Sequence, residues 1–206
     1  GLELPTVDEL AAVIDNVRLA EIDPFEEEVV EGELLTAIPE PAEVVEEIVY
    51  EDVGITEIQL ANGIRVLMKP TDFKDDEILF NAVSPGGSSL VSDDDFPEAS
   101  TSASVVTQSG VGDFDQTSLE KLLTGKTVSV VPYIREISEG IDGSSSVEDL
   151  ETMFQLIYLY ATQPRADEDA FEVFRTQLRA DLVNRAASPN AALSDAVNES
   201  LYGDTI

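Results

Sequence analysis

The stretch Thr56-Glu-Ile-Gln-Leu-Ala-Asn-Gly-Ile-Arg-Val-Leu-Met-Lys69 decides how the chain is read. Apolar and polar residues alternate on both sides of Ala61-Asn62-Gly63, and Asn-Gly between two alternating runs signals a tight turn. A β-hairpin with strands over 56–60 and 64–69 is the expectation. Working outward, residues 78–84 predict a third strand, ended by Pro85-Gly86-Gly87. Helical patterning follows over about 98–109, before Gly110 and Gly112, and over 117–123, opened by Asp115 and closed by Gly125. Residues 127–131 and 135–141 alternate enough to be two more strands. Gly140 to Ser146 reads as the turn into the next helix, with Ser146 as its cap. Leu150, Met153, Phe154, Ile157, Tyr158 and Ala161 then fall on one helical face, and Pro164 ends that helix. A long helix over 167–187 places Phe171, Phe174, Leu178 and Leu182 inward, and a last one over 191–201 follows Pro189. This order predicts an α+β fold: an antiparallel sheet with helices packed on one face.

Upstream the text changes. Residues 6–21 read as a helix, with Thr6 and Glu9 spaced as a capping box and Leu10, Val13, Ile14 and Val17 in one stripe. From Pro24 to Gly54, Glu26-Glu27-Glu28, Glu46-Glu47, Pro39 and Pro41 predict an extended, solvated linker. The expected division is therefore 1–54, a helix plus acidic connector, and 55–206, the α+β domain.

Composition excludes several chemistries. The 206 residues include no histidine and no cysteine, which removes disulfides, Ser-His-Asp and Cys-His catalysis, and the two side chains that bind zinc best. Acidic residues number 43 against 11 basic, for a net charge of -32. Nucleic acid and anionic membrane surfaces should repel such a chain. Acid is spread along the whole sequence with little lysine, the pattern of a salt-adapted, halophilic surface. At 43% hydrophobic residues, the chain still has enough to form a core. No apolar run approaches the roughly 20 residues of a membrane span, and no signal peptide is visible. The start at Gly1-Leu2-Glu3, without an initiator Met, reads as a piece of something longer.

With these segments in hand, a family resemblance emerges. The hairpin over 56–69 resembles the opening of the M16 (insulinase and pitrilysin) zinc metallopeptidases, a LuxS-like fold. Residues 78–84 with Pro85-Gly86-Gly87-Ser88 are similar to that family's second strand and its Gly-Gly-Ser turn. Leu150 to Tyr160 with Pro164-Arg165-Ala166-Asp167, then Phe171 to Asn184, resemble its helix-and-proline segment and next long helix. The resemblance covers about 55–200. Active domains of the family carry His-x-x-Glu-His on the helix after the Gly-Gly-Ser turn, and a Glu ligand on the long helix. Aligned by the turn, those positions hold Ser100, Ala103 and Ser104, and Asp181 lies where the third ligand belongs. No register supplies a histidine.

The resemblance implies an inactive copy of the fold, most like the third domain of a long bacterial member. No catalytic, cofactor-binding or metal residue is expected in the chain itself; zinc belongs to a partner catalytic domain of the same parent. Inactive copies close the chamber around a peptide substrate and contribute to binding it, and the parent would be a periplasmic or membrane-associated zinc metalloendopeptidase. Family members continue with further strands after the last helix, so a truncated sheet with an open edge, and self-association through it, are also expected. The alternative is a stand-alone structural or assembly module with the same fold and no peptidase role. A carboxylate-only metalloenzyme is a distant third.

Other motifs have plainer readings. Asp93-Asp94-Asp95 are consecutive, unlike an alternating calcium loop, and read as a solvated loop before a helix. Gly110-Val111-Gly112 reads as a helix end, since Asp113 and Asp115 would repel phosphate. Phe154, Tyr158, Tyr160, Phe171 and Phe174 read as core, with Tyr160 lining a peptide groove as the lesser option.

At -32 the folded chain repels itself, and salt shortens that repulsion to about 10 Å at 0.1 M and 3 Å at 1 M. Melting temperature should rise strongly between low and molar potassium chloride; an unchanged midpoint would count against a salt-adapted surface.

Overall fold

Thr6 and Glu9 close the capping box that their spacing predicts. The Thr6 backbone N–H donates to Glu9 Oε2 at 2.7 Å, and the Glu9 N–H donates to Thr6 Oγ1 at 3.3 Å. They open helix α1, Val7–Leu19. The structure, a computed structural model, describes residues 5–19 and 32–203. The chain divides into two compact units, Gly1–Val30 and Glu31–Ile206. In the first, α1 presents Leu10, Val13, Ile14 and Val17 as an exposed apolar stripe. The end of the helix expected over 6–21 lies outside the described residues, as does the Glu26-Glu27-Glu28 run.

The second unit begins earlier than the expected hairpin. Strand β1, Val44–Tyr50, pairs antiparallel with β2, Ile55–Leu60, which pairs with β3, Arg65–Met68. The turn between β2 and β3 is set by Asn62, whose Oδ1 accepts the Ile64 N–H at 3.1 Å, and by Gly63 at φ 88°. Of the linker expected from Pro24 to Gly54, the described part, 32–54, is not extended and solvated throughout. Val44–Tyr50 is a strand whose backbone is satisfied by β2, and Leu34 and Leu35 pack against the core of the unit.

A second sheet has the order β4-β6-β5, all antiparallel: β4 Ile78–Pro85, β5 Val128–Ile134, β6 Ser138–Ser145. The α+β class holds, with two three-stranded sheets in place of one. Between β4 and β5 run α2, Phe96–Ser109, and α3, Gln116–Leu122. After β6 come α4, Leu150–Thr162; α5, Glu168–Ala186; and α6, Pro189–Tyr202. Helices α2 and α4 both pack on β5, and α4 also on β6. The core lies between: Val130 of β5, Leu119 of α3, Val111, and Met153, Leu156, Leu159 and Tyr160 of α4.

Close approach explains why β6 runs through the glycines expected to form a turn. A Cβ on Gly140 would lie 1.9 Å from the Ala82 carbonyl oxygen, and one on Gly143 would meet Met153 Sδ at 3.3 Å. Glycine here lets neighbouring strands and α4 come near. Ser146 still serves the next helix, though Asp149 is its N-cap: the Asp149 N–H donates to Ser146 Oγ at 3.1 Å, while Ser146 donates to Asp149 Oδ2 at 2.9 Å.

Two expected core faces differ. On α4 the buried residues are Thr152, Met153, Leu156, Leu159 and Tyr160, whereas Phe154 and Tyr158 are exposed. On α5 only Ala170 and Phe174 are half-buried, and Phe171, Leu178 and Leu182 are exposed, because α2 covers one side of the helix alone.

Arg165 locks α2 to the start of α5. Its Nε donates to the Ser109 carbonyl oxygen at 3.0 Å, one terminal nitrogen to that of Gly112 at 3.4 Å, and the other to Asp167 Oδ2 at 3.3 Å. Buried Ser109 adds a bond, accepting the Asp167 N–H at 3.2 Å. Removing a partner from such acceptors costs about 1–3 kcal/mol. Arg165→Ala should therefore lower unfolding free energy by about that amount in urea titration, and Arg165→Lys should recover only part of it.

Three aspartates act as fixed anions. Asp115, Asp149 and Asp167 are all held below the usual carboxylate range, chiefly by backbone N–H donors from Ser118, Thr127 and Ala170 respectively. A depressed folded pKa means stability that is present above the unfolded value, near 4, and is lost as pH falls through the folded one. Protonating other carboxylates also relieves the overall repulsion, so the clean readout is a difference. Asp149→Asn should melt below the parent chain at pH 7, and the gap should close as pH falls below about 4. A constant gap would refute this.

Candidate functional site

The geometry that places the motif positions starts at Gly86-Gly87. Gly87 sits at φ 69°, and a Cβ there would lie 2.1 Å from the Arg135 carbonyl oxygen. The close fit lets three backbone N–H groups reach the β5–β6 connection: Gly86 to Ile137 at 3.0 Å, Ser88 to Arg135 at 2.9 Å and Ser89 to Glu136 at 2.7 Å. This lacing fixes the exit of β4 and leads into α2.

Helix α2 carries Ser100, Ala103 and Ser104, and α5, packed on it, carries Asp181. The structure thus brings all four expected positions onto one pair of touching helices. Ser100 and Ser104 are exposed, Ala103 is half-buried and Asp181 is exposed. The Ser100 hydroxyl donates back to the Pro97 carbonyl oxygen at 3.1 Å. Two hydroxyls, a methyl group and one carboxylate do not fit zinc, which takes imidazole and thiolate with carboxylate as helper. Among the described residues, no group of three or more acidic side chains is placed to hold a metal.

Among the described residues, several carboxylates are held as anions by their partners. Glu57 accepts from Arg65 Nε at 2.6 Å and from the Tyr50 hydroxyl at 3.1 Å. The Arg65 guanidinium holds the Glu57 carboxyl below the usual range, and the hydrogen bond to Glu57 raises the Tyr50 phenol. Together with the three capped aspartates, these carboxylates are stabilised as anions, the reverse of a general acid. Tyr160 is buried in the core, which pushes its phenol up and takes it away from any groove. Asp93–Asp95 forms one 3-10 turn, and Gly110 is the C-cap of α2 at φ 83°.

The surface that sequence reasoning missed is the face of the second sheet turned away from the helices. Strand alternation puts Leu79, Asn81 and Val83 of β4 on this face, with Val131 and Tyr133 of β5 and Asp142 of β6. Asn81 donates to Asp142 Oδ1 at 2.5 Å, Arg135 pairs with Asp142 at 3.3 Å, and the Arg135 guanidinium lies 4.1 Å above the Tyr133 ring. Leu79 and Val83, 75% and 66% exposed, flank that polar centre. Both β4 and β5 flank β6 with an outer edge free among the described residues. An apolar rim, a polar centre and a free edge suit an extended polypeptide laid along the sheet. The alternation of 79, 81 and 83 was the available signal, but its value depended on which face the helices took.

No protein-family model matches the chain. It is 26% identical over 205 residues, 97% of its length, to a zinc protease PQQL-like protein of Arabidopsis thaliana. It is also 26% identical over 131 residues, 63% of its length, to a probable zinc protease PqqL of Haemophilus influenzae. The chain spans only 19% and 14% of those relatives. Its fold is similar to that of the ferredoxin protease FusC, in the crystal structure of a mutant in complex with Arabidopsis ferredoxin. There the TM-score is 0.73 at 20% identity, covering 100% of this chain and 23% of that one. The periplasmic protease PqqL from Escherichia coli gives a TM-score of 0.72 at 17% identity, over 97% and 22%. Relatives and structural neighbours alike cover most of the chain and are proteases, which bears out its resemblance to the M16 zinc metallopeptidases.

Proposed function

We propose that this chain is a non-catalytic domain of a longer M16-type zinc metallopeptidase, where it forms chamber wall and substrate-contacting surface. The observation that carries the reading is α2: the helix and the Gly-Gly-Ser turn that aims it are kept, while Ser100, Ala103 and Ser104 stand at the motif positions. A fold retained around a site without ligand chemistry is the pattern of a copy used for its shape. Hydrolysis then belongs to a partner catalytic domain of the same parent, which holds the zinc and supplies the activated water. Residues 55–206 form the copy, and 1–54 the connector, whose last part already contributes β1 to the copy's first sheet. By likeness to proteases named for the periplasm and for ferredoxin, the parent works in the periplasm on polypeptide substrates.

This chain's own residues bind and orient. The free edge of β4 offers backbone N–H and C=O groups to an extended peptide, and Leu79 and Val83 beside it contact apolar side chains. The acidic surface keeps the parent soluble in salt.

Two measurements test this. The purified chain should retain no stoichiometric zinc after dialysis and cleave no peptide in added zinc; tight zinc with chelator-sensitive turnover would refute it. In the parent, Leu79→Glu with Val83→Glu should raise KM several-fold with kcat and zinc content unchanged. Unaltered KM would favour the assembly-module alternative.

A further inference from the structure

The stretch from Gly32 to Ala42, ahead of β1, is held by side-chain packing alone. None of its residues makes a hydrogen bond, through main chain or side chain, among the described residues. Pro39 and Pro41 have no N–H to offer. The first bond comes at Glu43, whose carbonyl oxygen accepts the Ala61 N–H at 2.8 Å. What seats the stretch is apolar: Leu34 and Leu35 are half-buried against the core, and a Cβ on Gly32 would meet the Phe114 ring at 3.6 Å. Ile38 stays 80% exposed.

The seat fits loosely. A cavity of about 350 Å³ lies beside the two leucines, lined by Leu122, Leu123 and Lys126 at the end of α3 and by Glu151, Thr152 and Gln155 of α4. Close-packed interiors leave few voids larger than a water molecule, and a wall this polar returns less for a buried leucine than an apolar one does. A segment with few buried apolar contacts and no main-chain ladder lies at the low end of local stability.

We infer that residues 32–42 are a releasable clip: Leu34 and Leu35 seat it between α3 and α4, and it lifts off while the rest of the second unit stays folded. Release breaks no hydrogen bond and leaves β1 paired with β2. It frees a tether, since residues 32–43 extended at about 3.4 Å each give about 40 Å of reach ahead of β1. Seated, the same residues lie along the helices and that slack is withdrawn. The clip thus sets how much free chain precedes the first sheet.

The test uses the whole chain. Elastase, which cuts after small residues, reads opening at Ala37, with Val49, paired to Thr56 in β1, as internal control. Leu34→Ala with Leu35→Ala should speed cutting after Ala37 about tenfold, because slow proteolysis follows the population of the open form. Each rate is divided by that of the matching free peptide 32–42, which removes any preference of the protease. Cutting at Val49 and the melting temperature should stay as in the parent chain. Leu156→Ala, in the core, should instead lower the melting temperature and expose both sites. Leu34→Phe has the cavity to grow into and should slow cutting after Ala37 several-fold. The chain has no cysteine, so Thr36→Cys with Glu120→Cys takes two spin labels cleanly, and the distance between them should spread to longer values in the double-alanine variant. Unchanged cutting or an unmoved distance in that variant would overturn the inference. So would a melting temperature that falls as far as that of Leu156→Ala, or cutting of Leu34→Phe at the parent rate or above. None of these readouts involves hydrolysis by the parent, so the inference can fail while the proposed function stands.

Discussion

Arg165 is the contact on which the arrangement of the helices depends. It follows Pro164, which ends α4's segment and pairs with Val111 in a single bridge, and its three nitrogens reach Ser109, Gly112 and Asp167. One side chain thereby ties the end of α2, the glycine turn after it and the start of α5. Because two of those acceptors are main-chain oxygens in a half-buried place, an alternative donor would have to be water, and the guanidinium takes that position instead. The end of α2 is thereby held beside the start of α5.

Little of the chain is deeply buried. Among the described residues, seven apolar side chains form the core, gathered where α3 and α4 meet β5. The first sheet has its Glu57–Arg65–Tyr50 link on one face and exposed valines on the other. Polar links therefore do much of the positioning, and an acid-rich surface makes each cationic partner consequential: with 11 basic residues against 43 acidic, every ion pair uses a scarce group.

Much of the fold was legible in the sequence because local chemistry decided it. Asn62-Gly63 fixes its turn with its own side chain, Thr6 and Glu9 satisfy each other, and Asp115 caps α3 by accepting the Ser118 N–H at 2.7 Å. What was not legible depended on partners distant in sequence. Helix α4 is apolar nearly all round, so its periodicity could not tell the face bearing Phe154 and Tyr158 from the one bearing Leu156 and Leu159. The gap over Gly143 made the choice. Glu46-Glu47 disguised β1, which is a strand because β2 offers a free edge, with a register shift between Val44 and Glu46 absorbing the irregularity. The motif positions on α2 and α5 could be placed by their turn, whereas the open sheet face could not, since only the packed structure shows which side the helices leave bare.

The electrostatics of the chain favour ionised acids at element ends. A hydrolytic site needs a group poised to give and take a proton near working pH, which burial or a like charge produces by raising a carboxyl's pKa. Every carboxylate shifted among the described residues goes the other way, held as an anion by a backbone N–H or an arginine. Such groups stiffen helix starts and strand pairs but are poor proton donors. A chain that uses its acids this way keeps its shape: a turn that fixes α2, a lock that fixes α5 against it, and a sheet face left open on the other side.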